Sequence, residues 1–242
     1  MPVNADEFLG GRILVRQPER GFRSGLDAVM LAAAVPAKSG HRVLELGSGA
    51  GVASLCLAAR TPQCDVMGVE IDTALVQLAN ENSDANQLAD RVRFVAADIA
   101  DLPGELRHEF DHVFCNPPFH GDDGERSPDE NRARATHAGD FRDWLRIGLK
   151  RTVSNGTFTA ILRADRMGEA IDALGSDGLS IFPLWPKQGE PAKRVILQVR
   201  RNARAPLRLL AGLVLHQPNG RPTREADAIL RDGAALDLVP AR

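Results

Sequence analysis

The sequence predicts an α/β fold: one open, mostly parallel, twisted sheet with helices on both of its faces. Three observations carry this. From residue 42 onward, short apolar runs alternate with segments of helical spacing. A glycine-rich turn joins the first of those runs to the helix that follows, and acidic residues stand at or just beyond the ends of the first three runs. Alternation of this kind is what crossover connections in a parallel sheet require.

The elements follow in order. Gly10-Gly11, between the apolar parts of Glu7–Gln17, is a hairpin signal. Leu26, Val29, Met30 and Ala33 recur at helical spacing, so a helix runs from Ser24 to Val35 and stops at Pro36. Arg42–Leu46 is a short strand and Gly51–Ala59 its helix; Asp65–Glu70 and Thr73–Asn82 repeat the pair. Val92–Ala96 and His112–Cys115 are the next two strands. Arg142–Thr152 is helical, Thr157–Arg163 a strand and Met167–Leu174 a helix. Leu179–Leu184 and Arg194–Val199 complete a sheet of about seven strands. A turn over Gln217–Thr223 and a short helix over Glu225–Leu230 close the chain. The expected organisation is one domain over 1–242: a hairpin-and-helix extension (1–40), the α/β core (41–200) and a C-terminal extension (201–242). Ligands of such sheets bind beyond the carboxyl ends of the strands, and every motif below falls there.

Composition narrows the function. No apolar run reaches the roughly 18 residues that cross a bilayer, and Met1–Glu7 lacks the charged and apolar regions of a signal peptide, so the expected location is the cytoplasm. Cys56, Cys64 and Cys115 are an odd number without C-x-x-C spacing, and the six histidines are scattered, so neither disulfides nor a metal site is expected. A net charge of −2 gives no global argument for a nucleic-acid partner.

The first strand runs into Glu45-Leu46-Gly47-Ser48-Gly49-Ala50-Gly51. Glycines at a strand-to-helix turn let the backbone bend sharply and a ligand approach closely, and the helix start offers free N–H groups. The G-x-G-x-G spacing, with an acid two residues ahead, differs from the dinucleotide G-x-G-x-x-G. It is similar to the first motif of the Rossmann-like S-adenosylmethionine-dependent methyltransferases. That resemblance implies S-adenosylmethionine as cofactor, its methionine part over Gly47, Ser48, Gly49 and Gly51, and Glu45 facing its ammonium group. Glu70-Ile71, ending the second strand, offers a carboxylate for the ribose hydroxyls. Asp72 reads as the cap of the next helix. Ala97-Asp98-Ile99, after the third strand, offers an acceptor for the adenine amino group and an apolar wall for the ring; the alternative for Asp98 is another helix cap.

The fourth strand ends in Asn116-Pro117-Pro118-Phe119. The prolines stop the strand and stiffen the turn. Asn116 brings a side-chain acceptor, Pro117 a free carbonyl and Phe119 an aromatic face. An exocyclic amine is a poor nucleophile because its lone pair is delocalised into the ring. Two acceptors for its two N–H groups pull the nitrogen towards tetrahedral geometry, and orientation and oriented dipoles then supply most of the rate gain. The tetrapeptide resembles the signature of methyltransferases acting on adenine N6, cytosine N4, guanine N2 or glutamine N5.

Gln17–Ala28, which contains Phe22, Arg23 and Asp27, resembles the N-terminal signature of bacterial tRNA adenine-N6 methyltransferases of the valine-tRNA type, and Pro186-Lys187 with Lys193-Arg194-Val195 extends the match. The resemblance implies an RNA substrate, namely tRNA, and sets Arg23 and Asp27 beside the cofactor; Asp27 as an ordinary first-turn acid is the alternative. Lys187, Lys193, Arg194, Arg200, Arg201, Arg204 and Arg208 form a basic cluster able to neutralise phosphates, or else a solvated face. The polar stretch His120–Asp140, with Arg126, Arg132, Arg134 and His137, reads as a lid for a base drawn out of its stack. The Phe119-His120 pair also resembles ribosomal guanine-N2 methyltransferases. A glutamine-N5 enzyme and a non-catalytic binding module are the remaining readings.

Overall fold

The structure is a computed structural model that describes residues 2–118 and 140–238. A separate hairpin, β1 (Val3–Phe8) and β2 (Ile13–Pro18), leads into helix α1 (Leu26–Ala34). The core then alternates β3 (Arg42–Leu46), α2 (Val52–Arg60), β4 (Asp65–Glu70), α3 (Thr73–Ala85), β5 (Val92–Ala96) and β6 (Phe110–Cys115). After it come α4 (Phe141–Lys150), β7 (Thr152–Arg163), α5 (Met167–Leu174), β8 (Leu179–Trp185) and β9 (Arg194–Arg200). The strands β10 (Arg208–Leu209) and β11 (Leu213–Val214) and helix α6 (Arg224–Asp232) end the described chain.

The main sheet has the order β10-β8-β9-β7-β6-β3-β4-β5, with β11 also on β8. All its pairings are parallel except those of β9, which runs against both β7 and β8. Among the described residues the sheet therefore has nine strands rather than about seven; the two extra ones are two residues long, below what periodicity resolves. The helix expected over Arg142–Thr152 stops at Lys150, and Thr152 already belongs to β7.

Two apolar clusters cover the two faces of the sheet. One holds α1, α2 and Ile229 of α6 against Val43, Phe114 and Ile161; the other holds Trp144, Leu145 and Ala170 against Leu44, Val113 and Phe158. Ala28 to Ala34 of α1 are all buried, which fits its uniformly apolar sequence.

The hairpin is fastened by amide side chains. Asn86 accepts from Leu14 N–H (2.9 Å) and donates to Leu14 C=O (2.7 Å); Asn82 does the same for Arg16 (2.9 Å each). Asn82 lies on α3 and Asn86 caps its end one turn later, and their partners are alternate residues of β2. The outer edge of β2 is thus bonded within the chain at Leu14 and Arg16.

Candidate active site

The strand order reverses between β3 and β6: from β3 the chain builds outward through β4 and β5, and β6 then lies on the other side of β3. This is the switch point at which such sheets bind ligands. It brings the Gly47–Gly51 turn after β3 beside Asn116 after β6, since Leu46 pairs with Cys115. The cofactor motif and the amine motif are neighbours across one strand spacing, ~4.8 Å.

The glycines of the turn divide by role. Gly47, Gly49 and Gly51 all have positive φ (70°, 54° and 89°). A Cβ on Gly47 would lie 2.6 Å from the Trp144 ring, and one on Gly51 would lie 2.6 Å from Phe94. Those two admit protein aromatics. Gly49 meets nothing within 4 Å, so it is the glycine that leaves room for a ligand.

The acids are held firmly. Glu70 accepts from Gly49 N–H (3.0 Å) and Asp72 N–H (3.0 Å), so it ties the turn to the end of β4, and burial raises its carboxyl above the usual range. Glu45, 4% exposed, accepts from the Ser54 N–H (3.1 Å) and the Ser54 hydroxyl at the start of α2. Burial pushes its carboxyl up to about 8, with Ser54 opposing. Asp72 caps α3 through Ala74 N–H (2.8 Å), as the sequence suggested. Asp98 takes the capping role as well, accepting from Ala100 N–H (2.8 Å) at the 3-10 turn Ile99–Asp101, whose Ile99 is buried. Ile71 and Ala97 follow directly on β4 and β5, at the same carboxyl edge.

Three buried polar atoms at or beside this switch point lack a hydrogen-bond partner among the described residues: Ser48 Oγ, Asn116 Oδ1 and Trp144 Nε1. Buried orphans are costly, and a cluster of them calls for an explanation. An acceptor and two potential donors around an open Gly49 fit a polar ligand carrying both donors and acceptors, such as S-adenosylmethionine. Trp144 carried no distinguishing signal in the sequence, where it reads as one apolar residue on an amphipathic helix.

Other expected site residues have partners within the protein. Arg23 is engaged by Asp6 of the hairpin (2.7 and 2.5 Å). Asp27, expected at the cofactor, and Arg194, expected on RNA, pair with each other (2.8 Å). The basic cluster splits. Lys187, Lys193 and Arg194 lie at the carboxyl edge, whereas Arg200, which ends β9, and Arg201, which follows it, lie at the opposite edge, ~20 Å along the strand. Arg201 there bonds Glu109 and the carbonyls of Lys150 (3.2 Å) and Thr152. Arg200 and Arg201 are accordingly not part of a surface around Asn116. Pro117 and Pro118 follow Asn116 as expected; Phe119, Arg132 and Arg134 lie outside the described residues. Among the described residues no His, Cys, Asp or Glu group could hold a metal ion, and no helix is long and apolar enough to cross a membrane.

A mostly parallel sheet with a glycine turn and an Asn-Pro-Pro end meeting at its switch point defines the class: the chain is an S-adenosylmethionine-dependent methyltransferase of Rossmann-like fold. Residues 25–131 match the family model of the methyltransferase small domain. The chain is 29% identical over 192 residues to a tRNA1(Val) (adenine(37)-N6)-methyltransferase of Actinobacillus succinogenes, covering 78% of this chain and 81% of that protein. The enzyme of the same name from Yersinia pestis is 29% identical over 202 residues, covering 81% of each. A solved structure described as a predicted O-methyltransferase of Agrobacterium tumefaciens superposes with a TM-score of 0.73 at 28% identity, over 87% of this chain and 98% of that one. TrmN of Thermus thermophilus superposes with a TM-score of 0.51 at 26% identity, over 72% of this chain and 48% of that one.

Proposed function

We propose that this methyltransferase acts on the exocyclic N6 of adenine in tRNA, and hence in the cytoplasm. The observation that carries the reading is Asn116 Oδ1, a buried acceptor without a partner among the described residues, at the end of the strand beside the glycine turn. The cofactor supplies a methyl group on a sulfonium centre. Gly49 gives it room, Glu70 and Asp98 are the acceptors for its ribose and adenine, and Glu45 anchors the start of α2 through Ser54.

Asn116 Oδ1 and the Pro117 carbonyl each accept one N–H of the target amine, which turns its lone pair towards the methyl. Phe119 stacks the base. The amine nitrogen loses its proton after it gains the methyl, so no residue has to act as base beforehand. An oxygen acceptor, as the description of the Agrobacterium neighbour would suggest, needs its proton removed, and Asn116 and Pro117 accept hydrogen bonds without taking protons. The names of the curated relatives favour adenine over the guanine-N2 and glutamine-N5 alternatives.

The test is transfer of labelled methyl to total tRNA from cells lacking this gene, followed by nucleoside analysis. Labelled N6-methyladenosine is expected, and Asn116→Ala should abolish it while leaving cofactor affinity nearly unchanged. Label in guanine or in protein alone would overturn the adenine reading.

A further inference from the structure

Beyond β9, the carboxyl edge of the sheet carries an open groove of about 460 Å³ lined by Trp185, Gln188, Gly189, Glu190, Pro191 and Val214. Its floor is fixed. Trp185 ends β8, its indole N–H donates to the Ala211 carbonyl (3.1 Å), and its own carbonyl accepts from Leu215 N–H (2.8 Å). The next carbonyl, of Pro186, accepts from His216 N–H (3.0 Å). Gly212 (φ 80°) passes so close that a Cβ there would sit 2.7 Å from Trp185 Nε1. The ring is thus held in one place yet remains half-buried rather than sealed in the core.

The groove faces the same side as the catalytic turn. β8, β9, β7 and β6 are successive neighbours, and Leu184, Arg194 and Arg163 share a register row. Three strand spacings and a few residues of rise put Trp185 ~15–20 Å from Asn116, which a few nucleotides of single strand can bridge. Lys187 and Lys193 flank the groove, and neither forms an ion pair among the described residues.

We propose that the Trp185 groove takes an unstacked base of the RNA substrate, a few nucleotides from the methylated one, with Lys187 and Lys193 on the phosphates around it. The inference rests on the RNA reading above. Unpaired bases are commonly recognised by stacking on a fixed aromatic side chain while basic residues follow the backbone. The apolar walls Pro191 and Val214 suit the faces of a base, and Gln188 and Glu190 suit its polar edge. Two lysines against one glutamate give the rim the sign that RNA requires.

The test uses the full chain with an adenine-containing RNA stem-loop as probe. Trp185→Ala should raise KM for the RNA by ~5–100-fold with kcat little changed, from the usual worth of one base–aromatic stack. Trp185→Phe should retain most of the affinity. RNA should quench tryptophan fluorescence in the wild type, and Trp185→Phe should lose that quenching because the remaining Trp144 is buried. Lys187→Ala with Lys193→Ala, which leaves the fold untouched, should flatten the dependence of log KM on log salt by ~1.5. N6-methyladenosine formation with an unchanged KM in Trp185→Ala and an unchanged salt slope in the lysine variant would overturn the groove and leave the adenine reading standing. Label on guanine with a raised KM would overturn adenine and support the groove. Quenching by a peptide but not by RNA would overturn the groove.

Discussion

Asn82 offers a sharp test of how the hairpin and the cofactor turn are joined. Its side chain is 1% exposed and satisfies three backbone groups: it accepts from Arg16 N–H (2.9 Å) and donates to the Arg16 (2.9 Å) and Ala50 (3.0 Å) carbonyls. Asn82→Ala strands all three. Water reaches the exposed Arg16, so the full penalty falls on Ala50, and the sum is ~2–4 kcal/mol at ~1–3 kcal/mol per stranded group. At ~2–4 °C per kcal/mol for a chain of this size, Tm should fall by ~5–15 °C. Asn86→Ala is the control. It removes two similar bonds to Leu14 at the surface and one to the Asn82 carbonyl at the helix end (2.7 Å), where water replaces them, and should cost under ~1 kcal/mol. Guanidinium unfolding with an unchanged slope measures both. Equal losses in the two variants, or a loss under ~1 kcal/mol for Asn82→Ala, would refute the assignment of Asn82 as the tie between β2 and the turn. Because the Ala50 bond lies inside the glycine turn, Asn82→Ala should also raise the Kd for S-adenosylmethionine.

Three further outcomes follow from the turn and from two buried titratable groups. Gly47→Ala drives a Cβ into Trp144 and should unfold or severely destabilise the chain, whereas Gly49→Ala meets open space, costs only the ~1–2 kcal/mol of left-handed backbone and should chiefly abolish cofactor binding, as calorimetry on both variants would read. Burial, and next the neighbouring His41, hold the His112 imidazole down at about 4 from 6.5, so its contribution to stability is present above 6.5 and lost as pH falls through 4; His112→Gln should remove that part of the acid-unfolding slope. Glu45 has the opposite sign. Its carboxyl is raised from 4.5 to about 8, so its contribution is present below 4.5 and lost as pH rises through 8, and unfolding midpoints of Glu45→Gln should be flatter than wild type across that window.

The order of elements and the two motif-bearing turns were legible because long alternations of strand and helix leave a strong period, and because glycine, proline and acidic residues punctuate it. What the sequence hid was mostly tertiary. Trp144 and Phe94 explain Gly47 and Gly51, yet nothing local distinguishes either aromatic from an ordinary core residue. Asp27 and Arg194 are 167 residues apart, and their pairing exists only once α1 packs across the sheet. The basic cluster is continuous only in sequence: residues 187–208 are close along the chain, while the seven-residue strand Arg194–Arg200 carries its two ends to opposite edges. The strands Arg208–Leu209 and Leu213–Val214 are too short to show a period.

The topology also separates two demands on the site. Leu46 and Cys115 are paired, so the glycine turn and Asn116 are neighbours whatever else the chain does, and under the proposed function the sheet itself sets the approach of methyl and amine. The segments to which the proposals assign the choice of acceptor hang from other strands or precede the sheet: the Trp185 groove beyond β9, and Arg20–Arg23, where Phe22 is 61% exposed. Substitutions in those segments should therefore change which molecule is methylated and its KM, while substitutions at Gly49 or Asn116 remove transfer to any acceptor. A Phe22→Ala variant that lost transfer to a minimal nucleoside acceptor as completely as Asn116→Ala would break this separation, because it would show that the N-terminal segment builds the reaction geometry rather than the choice of substrate.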